Sequence, residues 1–471
     1  MTKFKLSLFL VVFCTIVFAE LDVQHMSNGS VKIEQIVRSI ALIYTDDKLE
    51  PEVEKFINHQ PKIIWDDNAY VYLWGMNVKT DNPYKIGKEI LEKLLAEDKL
   101  YNYEQHPLEL SFLNDYPLYK TPESDLLCKK HKSECFEKII NNDKAVKQFL
   151  KDYGFYKSRY LTYLKFNYFN QIADRRLESP LPSFRTITIA QKVVHIYLLA
   201  NLKNISKTKL VNQLESELIR LKNKLEKADT LIAKMIVVAL INENIEMFNY
   251  LYQNKLINLG SHSSLFKPLS SSERSLYNAM YEEHSKNLKY LYDYISDPKR
   301  LVKKKYKPVT YQLMKLVYFI VAKPNLTANT VYNDYIANLL YLTQLKSYLY
   351  YSEIKQSKNE INHDPIRNFM VYKLSDGVFP DYYNYPARVF DIDMKLQLMR
   401  LVIQSESIRN LKQDDKFLST YDHTPAFIKD DKICYSGMAK MFPEFRCLTI
   451  HKRAIFITNP KFEPKSHAFS H

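Results

Sequence analysis

The stretch LVNQLESELIRLKNKLEKADTLIAKMIVVALI, Leu210 to Ile241, carries the clearest structural signal in the chain. Leu214, Leu218, Leu221, Leu225, Ala228, Ile232, Met235 and Ala239 recur at alternating intervals of four and three. On a helix, that spacing keeps one apolar seam turned toward a partner, as in long antiparallel hairpins and coiled coils. The pattern predicts a helical element that Asn242-Glu243-Asn244 ends before IEMFNYLYQ starts another. Lys234 interrupts the apolar run. A buried functional amine is one reading; the expected state is a packed stem with its ammonium in water at the helix edge.

Helical signals extend outward on both sides. Pro180-Leu181-Pro182 marks a turn before a helix carrying Ile189, Val193 and Leu198. Ser270 and Glu273 have capping-box spacing, and Lys323-Pro324-Asn325 separates LVYFIVA from the next helical stretch. Residues 111–376 therefore read as a helical-hairpin domain, although no fixed repeat period is found. Residues 20–110 are mixed and mostly helical: VKIEQIVRSIALIY (Val31 to Tyr44) has helical spacing, KIIWDDNAYVYLWGM (Lys62 to Met76) suits a strand or a helix, and a helical pattern returns over Pro83 to Leu95. Residues 377–471 begin with the aromatic FPDYYNYPARVF and resume a helix in DIDMKLQLMRLVIQS. They finish with FLSTYDHTPAFI, DKICYSG and RCLTIHKRAIFIT, which read as short strands joined by turns. Seven glycines in 471 residues are too few for a large sheet protein or a glycine-rich nucleotide binder. The fold class is mainly α, an irregular bundle or solenoid-like array of helical hairpins with a small β-containing C-terminal part.

The first nineteen residues, MTKFKLSLFLVVFCTIVFA, combine Lys3 and Lys5 with an apolar run and small residues up to Ala19. They read as a signal peptide, the run being shorter than the ~20 residues that span a bilayer. An inner-membrane anchor over residues 6–19 is the alternative. Cleavage removes Cys14 and leaves Cys128, Cys135, Cys434 and Cys447, an even set that suits disulfides in an oxidising compartment. Local pairing predicts Cys128–Cys135 and Cys434–Cys447. The first pair sits in LLCKKHKSECFEKIINND, where Cys128, His131 and Cys135 also offer metal-ligand spacing. Three ligands among Lys129, Lys130 and Lys132 make a poor cation site, so the disulfide is expected and no metal. Seven residues of unbroken helix span about 10.5 Å, beyond disulfide reach, so the helix must break between the two cysteines. Ser133, followed by Glu134 and Glu137, is a suitable restart with its hydroxyl capping.

The formal charge is +14, about +12 without Lys3 and Lys5. The stretch FLKDYGFYKSRYLTYLKFNYF (Phe149 to Phe169) interleaves aromatics with Lys151, Lys157, Arg159 and Lys165, as a nucleic-acid surface would. An amphipathic helix with core aromatics and solvated lysines explains it more simply, and export argues against nucleic acid as a partner.

DDNAYVYLWGM with the later IGKEIL, KADTLIAKMIVVALI, PLSSSERSL and AKPNLTANTVYNDY together resemble an uncharacterised family of exported, mainly helical proteins of Gram-negative bacteria. The match rests on their order along most of the mature chain. The family's Pro-aromatic-x-Gly turn has no glycine in the nearest segment here, Tyr421 to Ala426. The resemblance implies a periplasmic or envelope location, and no catalytic residue is carried over.

The chain holds no Gly-x-Ser-x-Gly elbow, phosphate-binding Gly-x₄-Gly-Lys-Ser/Thr loop or His-Glu-x₂-His motif. Asp66-Asp67 reads as a helix start rather than an acid pair. Asp391 and Asp393 have the Asp-x-Asp spacing of a metal–diphosphate site, but on a helix they point apart, and solvated or capping aspartates are expected. His363-Asp364 lacks a second cluster, Glu282-Glu283-His284 reads as a polar helical face, and His467 and His471 lie in the tail. Asn28, Asn204 and Asn325 stand in N-glycosylation sequons, which mean little in a bacterial chain. The expectation is an exported, non-catalytic binding or scaffold protein of the bacterial cell envelope, without cofactor, whose basic surface meets an acidic envelope protein or anionic polymer. The alternatives are an envelope hydrolase using Asp66, Asp67, Asp391 and Asp393, and a nucleic-acid-binding protein.

Overall fold

The computed structural model describes residues 48–100, 110–128, 133–172, 180–259, 264–297, 323–356, 382, 384–404, 418–437 and 443–451. The signal segment 1–19 with its anchor alternative, Asn28, the helix expected at Val31–Tyr44, His131, LVYFIVA, His363-Asp364, His467 and His471 lie outside these residues. Helices dominate: α1 (Pro51–Ile57), α2 (Ala69–Gly75), α3 (Pro83–Leu100), α4 (Ser133–Asn141), α5 (Asp143–Tyr153), α6 (Phe155–Lys165), α7 (Phe184–Ala200), α8 (Lys207–Lys227) and α9 (Leu231–Gln253). They continue as α10 (Ser271–Arg274), α11 (Tyr277–Ser296), α12 (Pro324–Thr330), α13 (Ala337–Leu342), α14 (Ser347–Gln356) and α15 (Asn384–Gln404). Three short antiparallel strands follow, β1 (Phe427–Lys429), β2 (Lys432–Cys434) and β3 (Cys447–Thr449), in that spatial order. The chain divides into two compact units. One comprises Met1–Pro61, Met280–Leu342 and Ile354–Tyr382, the other Lys62–Ala279, Thr343–Glu353 and Tyr383–His471.

The leucine seam holds for half its length. Leu214, Leu218, Leu221 and Leu225 are buried on α8, but the helix stops at Lys227, and Thr230 caps a new one by accepting from the Ala233 amide at 3.3 Å. Beyond the break the seam is lost: Ile232 is exposed, and Val237, Val238 and Ile241 form the interior face instead. Nor do Asn242-Glu243-Asn244 end the second helix, which runs to Gln253. Their amides find partners inside, where Asn242 accepts from the Lys395 ammonium at 2.6 Å and Asn244 donates to the Leu214 carbonyl at 3.3 Å. Such a polar triplet breaks a helix in water, not where both of its asparagines are bonded in the core.

The water-exposed state expected for Lys234 is overturned. It is buried, and its ammonium donates to the Leu225 carbonyl at 2.6 Å, at the C-terminal end of α8. Lys224 likewise donates to the Phe166 carbonyl just past α6, and Arg220 to the Leu164 carbonyl at 3.3 Å. Helices commonly end on a left-handed glycine, yet no described glycine has positive φ. In this glycine-poor chain, cationic side chains from neighbouring helices take over the last carbonyls, where the helix dipole favours positive charge. Burial pushes the Lys224 ammonium down to about 7 and that of Lys234 to about 8. The excess of lysine is therefore partly an interior feature.

Glycine serves close approach instead. A Cβ on Gly75 would lie 1.9 Å from the Pro83 carbonyl oxygen, and one on Gly87 would lie 1.9 Å from that of Val71. Both glycines let α2 and α3 touch backbone to backbone, which explains glycine in YLWGM and IGKEIL.

Both disulfides are formed. Cys128 ends a 3₁₀ turn (Asp125–Leu127) and α4 starts at Ser133, so the helix does not run through both cysteines, whose α-carbons lie 5.8 Å apart. The Ser133 hydroxyl, at the start of α4, meets His451 Nδ1 at 2.7 Å. Cys434 and Cys447 are cross-strand partners on β2 and β3. The outer edge of β3 is occupied by Asn249 and Gln253 of α9, both donating to the Thr449 carbonyl, at 2.7 and 2.9 Å.

Candidate functional site: an aromatic junction

Two stretches distinguished in the sequence, Lys62–Met76 and Phe149–Phe169, come together in the second unit. In the second stretch Tyr156, Tyr160 and Tyr163 are core as expected, whereas Tyr153 is half-buried and Tyr168 exposed. Arg159 departs from the solvated expectation. It is buried and donates to the carbonyls of Met76, Val78 and Thr80, with its Nη2 2.6 Å from the last of these.

Asn68 is the centre of the junction. Its side chain caps α2 by accepting from the Tyr70 amide at 3.0 Å, and the same oxygen accepts from the Asn170 amide at 3.1 Å. Its Nδ2 donates to the Ile64 and Asn170 carbonyls, at 2.6 and 2.8 Å. The Asp66-Asp67 pair thus precedes a helix start, but the cap is the next residue. Asp67 has φ 54°, a conformation unfavourable for a side-chain-bearing residue, and is braced by Asn167. The Asn167 amide donates to Asp67 Oδ1 at 3.1 Å and its Nδ2 to Oδ2. Backbone bonds complete the joint, from the Tyr168 amide to the Asp67 carbonyl at 3.0 Å and from the Ala69 amide to the Tyr168 carbonyl at 2.8 Å.

Around this braced turn lies an aromatic group. The Tyr84 ring stacks on Phe166 with centroids 5.3 Å apart, Phe166 tilts against Tyr72 at 5.1 Å, and the Tyr84 hydroxyl donates to the Trp65 carbonyl. Lys88, one turn along α3 from Tyr84, places its ammonium 5.9 Å from the centre of the Trp65 ring. Trp65, Tyr84 and Phe166 are half-buried, whereas Tyr168 and Ile63 are 38% and 52% exposed. Asp66 is exposed, and its carboxylate has no hydrogen bond or ion pair among the described residues.

Asp391 and Asp393 are not solvated, contrary to expectation. They lie on α15, a helix buried around its circumference, where no amphipathic stripe betrays the environment of a given position. Each has its own arginine. Arg446 Nη1 is 3.1 Å from Asp391 Oδ2, with the Tyr421 hydroxyl donating to Oδ1 at 3.2 Å. Arg274 Nη1 is 3.1 Å from Asp393 Oδ2, with the Leu269 amide at 2.6 Å from Oδ1. Burial pushes Asp391 up to about 7, against Arg446 and Tyr421, and raises Asp393 as well. A third charge on the same helix, Lys395, pairs with Glu246 at 2.5 Å. These charges are spent on each other, and the structure does not bring Asp391 and Asp393 to one metal. Among the described residues no group of three or more His, Cys, Asp or Glu could hold a metal ion.

Two further interior groups escaped the sequence reading. Glu217 accepts from the Tyr160 hydroxyl at 2.6 Å and from Gln191 Nε2 at 2.7 Å, with His195 Nε2 at 3.7 Å. Burial raises its carboxyl, but His195, Tyr160 and Gln191 together hold it below the ordinary value. His195, Lys192 and Glu243 line a cavity of about 20 Å³ beside Cys128, room for one water. In the other unit, Glu282-Glu283-His284 is no polar face. His284 is 1% exposed, edge-on to Tyr382 and Tyr335 with centroids 4.4 and 6.1 Å away, and neither ring nitrogen has a hydrogen-bond partner among the described residues. Burial pushes it down to about 4.

Trp65, Tyr84, Phe166 and Asn167 were missed as a set because they are spread over a hundred residues. Only the Trp-Asp-Asp-Asn and Phe-Asn-Tyr-Phe-Asn turns hinted at paired loops. No family model, curated protein or solved structure matches this chain.

Proposed function

We propose that this chain is an exported, non-catalytic binding or scaffold protein of the bacterial cell envelope, akin to the exported helical proteins its motifs resemble, and that the aromatic junction is its contact surface. Residues 1–19 deliver it to the periplasm in this reading. Two formed disulfides support an oxidising destination, and no helix among the described residues is long and apolar enough to cross a membrane. The carrying observation is a contrast. The buried aspartates of α15 are each committed to an arginine, whereas aromatic surface faces outward around a strained turn held from two sides. Outward apolar clusters on a rigid support mark contact sites. The net charge, +14 over the full sequence and about +12 without Lys3 and Lys5, draws the chain toward an acidic envelope protein or anionic polymer.

Crosslinking in intact envelopes, followed by recovery of the tagged chain, tests this. The wild type is expected to retain an envelope component that folded Trp65→Ala and Tyr168→Ser variants lose. Equal recovery by the variants removes the junction from the reading, and recovery of cytoplasmic partners alone overturns the location.

A further inference from the structure

At one end of the helices of the second unit, α6 and α8 begin while α7 and α9 finish, and lysines collect there. Lys157 on α6 sets its ammonium 3.2 Å from the centre of the Tyr197 ring, near the end of α7. The Tyr197 carbonyl accepts from Asn201 Nδ2 at 2.8 Å, in the turn that leads through Lys203 to α8. Lys207, the first residue of α8, donates to the Lys255 carbonyl just past α9 at 3.2 Å. Lys203, Lys207, Lys209 and Lys255 are exposed, and none is paired with a carboxylate among the described residues. Other surface lysines do have such partners, as Lys138 has Asp125 and Lys147 has Asp143. The sequence supplies the reason, since no Asp or Glu occurs in residues 179–214 or 247–272. Of the flanking carboxylates, Asp152 on α5 accepts from Gln148 Nε2 at 2.9 Å, and Glu246 on α9 pairs with Lys395. Glu215 lies six residues along α8 from Lys209, about 9 Å of rise. Uncompensated like charges gathered in this way raise a positive potential that an anion relieves.

The other side chains at this end narrow the partner. Neither Asn201–Leu210 nor Tyr250–Leu259 exposes a large apolar side chain, so the apolar centre of a protein interface has no place to form. Nor does an exposed aromatic ring there offer a base a stacking platform. Lysine without arginine supplies mobile point charges rather than a planar fork shaped for one carboxylate. A row of closely spaced phosphates, recognised by charge density, meets each condition. We propose that this lysine end is a docking surface for a linear phosphate-bearing polyanion of the envelope, its phosphates lying across Lys203, Lys207, Lys209 and Lys255. This deepens the acidic-partner part of the proposed function and makes no use of the aromatic junction.

The test uses the full mature chain and long-chain inorganic polyphosphate, by calorimetry between about 0.05 and 0.2 M salt. Contact with about four phosphates predicts an affinity that falls roughly 50-fold over that range. The triple variant Lys203→Gln, Lys209→Gln, Lys255→Gln is expected to bind about 100-fold more weakly, each lysine beside the phosphates being worth about fivefold. Should it misfold, Lys203→Gln with Lys209→Gln carries the test, with a loss of about 25-fold. A second triple, Lys79→Gln, Lys85→Gln, Lys165→Gln, removes the same charge from exposed positions elsewhere and is expected to lose less than about fivefold. Absence of polyphosphate binding overturns the proposal, and so do equal losses in the two triples, which reduce the effect to net charge. Tighter binding of poly-L-glutamate, of a double-stranded DNA 20-mer or of phosphatidylglycerol vesicles also overturns it, assigning the surface to an acidic protein, a nucleic acid or a membrane. If polyphosphate fails while envelope crosslinking still depends on Trp65, this docking surface alone falls. If polyphosphate binds and the Trp65-dependent crosslink is absent, the junction alone falls.

Discussion

Lys395 and Glu246 face each other at 2.5 Å with side chains 1% and 2% exposed, among the most secluded charges described here. Burial lowers the Lys395 amine, and Glu246 opposes that shift. Breaking such a pair leaves one ion stranded, whereas replacing both partners removes the desolvation cost too. Lys395→Met alone is expected to cost about 4 kcal/mol, and Lys395→Met with Glu246→Leu much less, by denaturant titration. Equal losses in the two variants contradict this account. His284 supplies a pH test. Its folded value is depressed from the ordinary 6.5 to about 4, so its contribution is whole above 6.5 and lost as pH falls toward 4. Asp391, raised to about 7, acts in the opposite sense over much of that range, because its folded form binds the proton more readily. The comparison is therefore with His284→Phe, which keeps an aromatic ring beside Tyr382 and Tyr335. Relative to that variant the wild type is expected to lose about 3 kcal/mol between pH 6.5 and 4. Parallel curves would show that His284 does not titrate in this way.

At the scale of elements, α2 and α3 depend on the absence of a side chain. The nearest atom to a Cβ at Gly87 is the Val71 backbone oxygen, which cannot swing aside as a side chain can. Gly87→Ala is expected to cost about 3 kcal/mol by overpacking, against less than about 0.5 kcal/mol for Lys85→Ala on the exposed side of the same helix. A shift in urea midpoint for the first and not the second is the check. Helix ends follow a related rule, since Lys224, Lys234 and Arg220 bond carbonyls that a left-handed glycine would otherwise leave accounted for. Periodicity located the helical stretch from Leu210 to Ile241 but misplaced its break, while the capping box at Ser270 and Glu273 formed as its spacing predicts. It did not foresee the stop at Lys227: the Thr230 cap on the Ala233 amide is local, but the Asp229 carboxylate beside it accepts from the Gln171 amide at 3.0 Å, a partner distant in sequence.

For the molecule as a whole, the C-terminal sheet is small and has few strands to share the stabilisation. Its disulfide closes a loop of 14 residues, worth about 3 kcal/mol in the chain-entropy model. Cys434→Ser with Cys447→Ser is expected to lower stability by about that amount, and peptide mapping without reduction should recover Cys128 with Cys135 and Cys434 with Cys447. A different pairing would contradict the structure.

The sequence by itself determined the helical class, the small C-terminal strands, the leucine seam of α8 and the scarcity of glycine turns, because these depend on local spacing and composition. Only the tertiary structure decided which charges are interior. Asp391, Asp393, Lys395, Lys234 and His284 look like ordinary helical surface residues in one dimension, since periodicity reports an amphipathic face and α15 has none. The junction of Trp65, Tyr84 and Phe166 was equally hidden. It exists because Asn68 bonds Asn170 across 102 residues, and no local rule encodes such a distant bond.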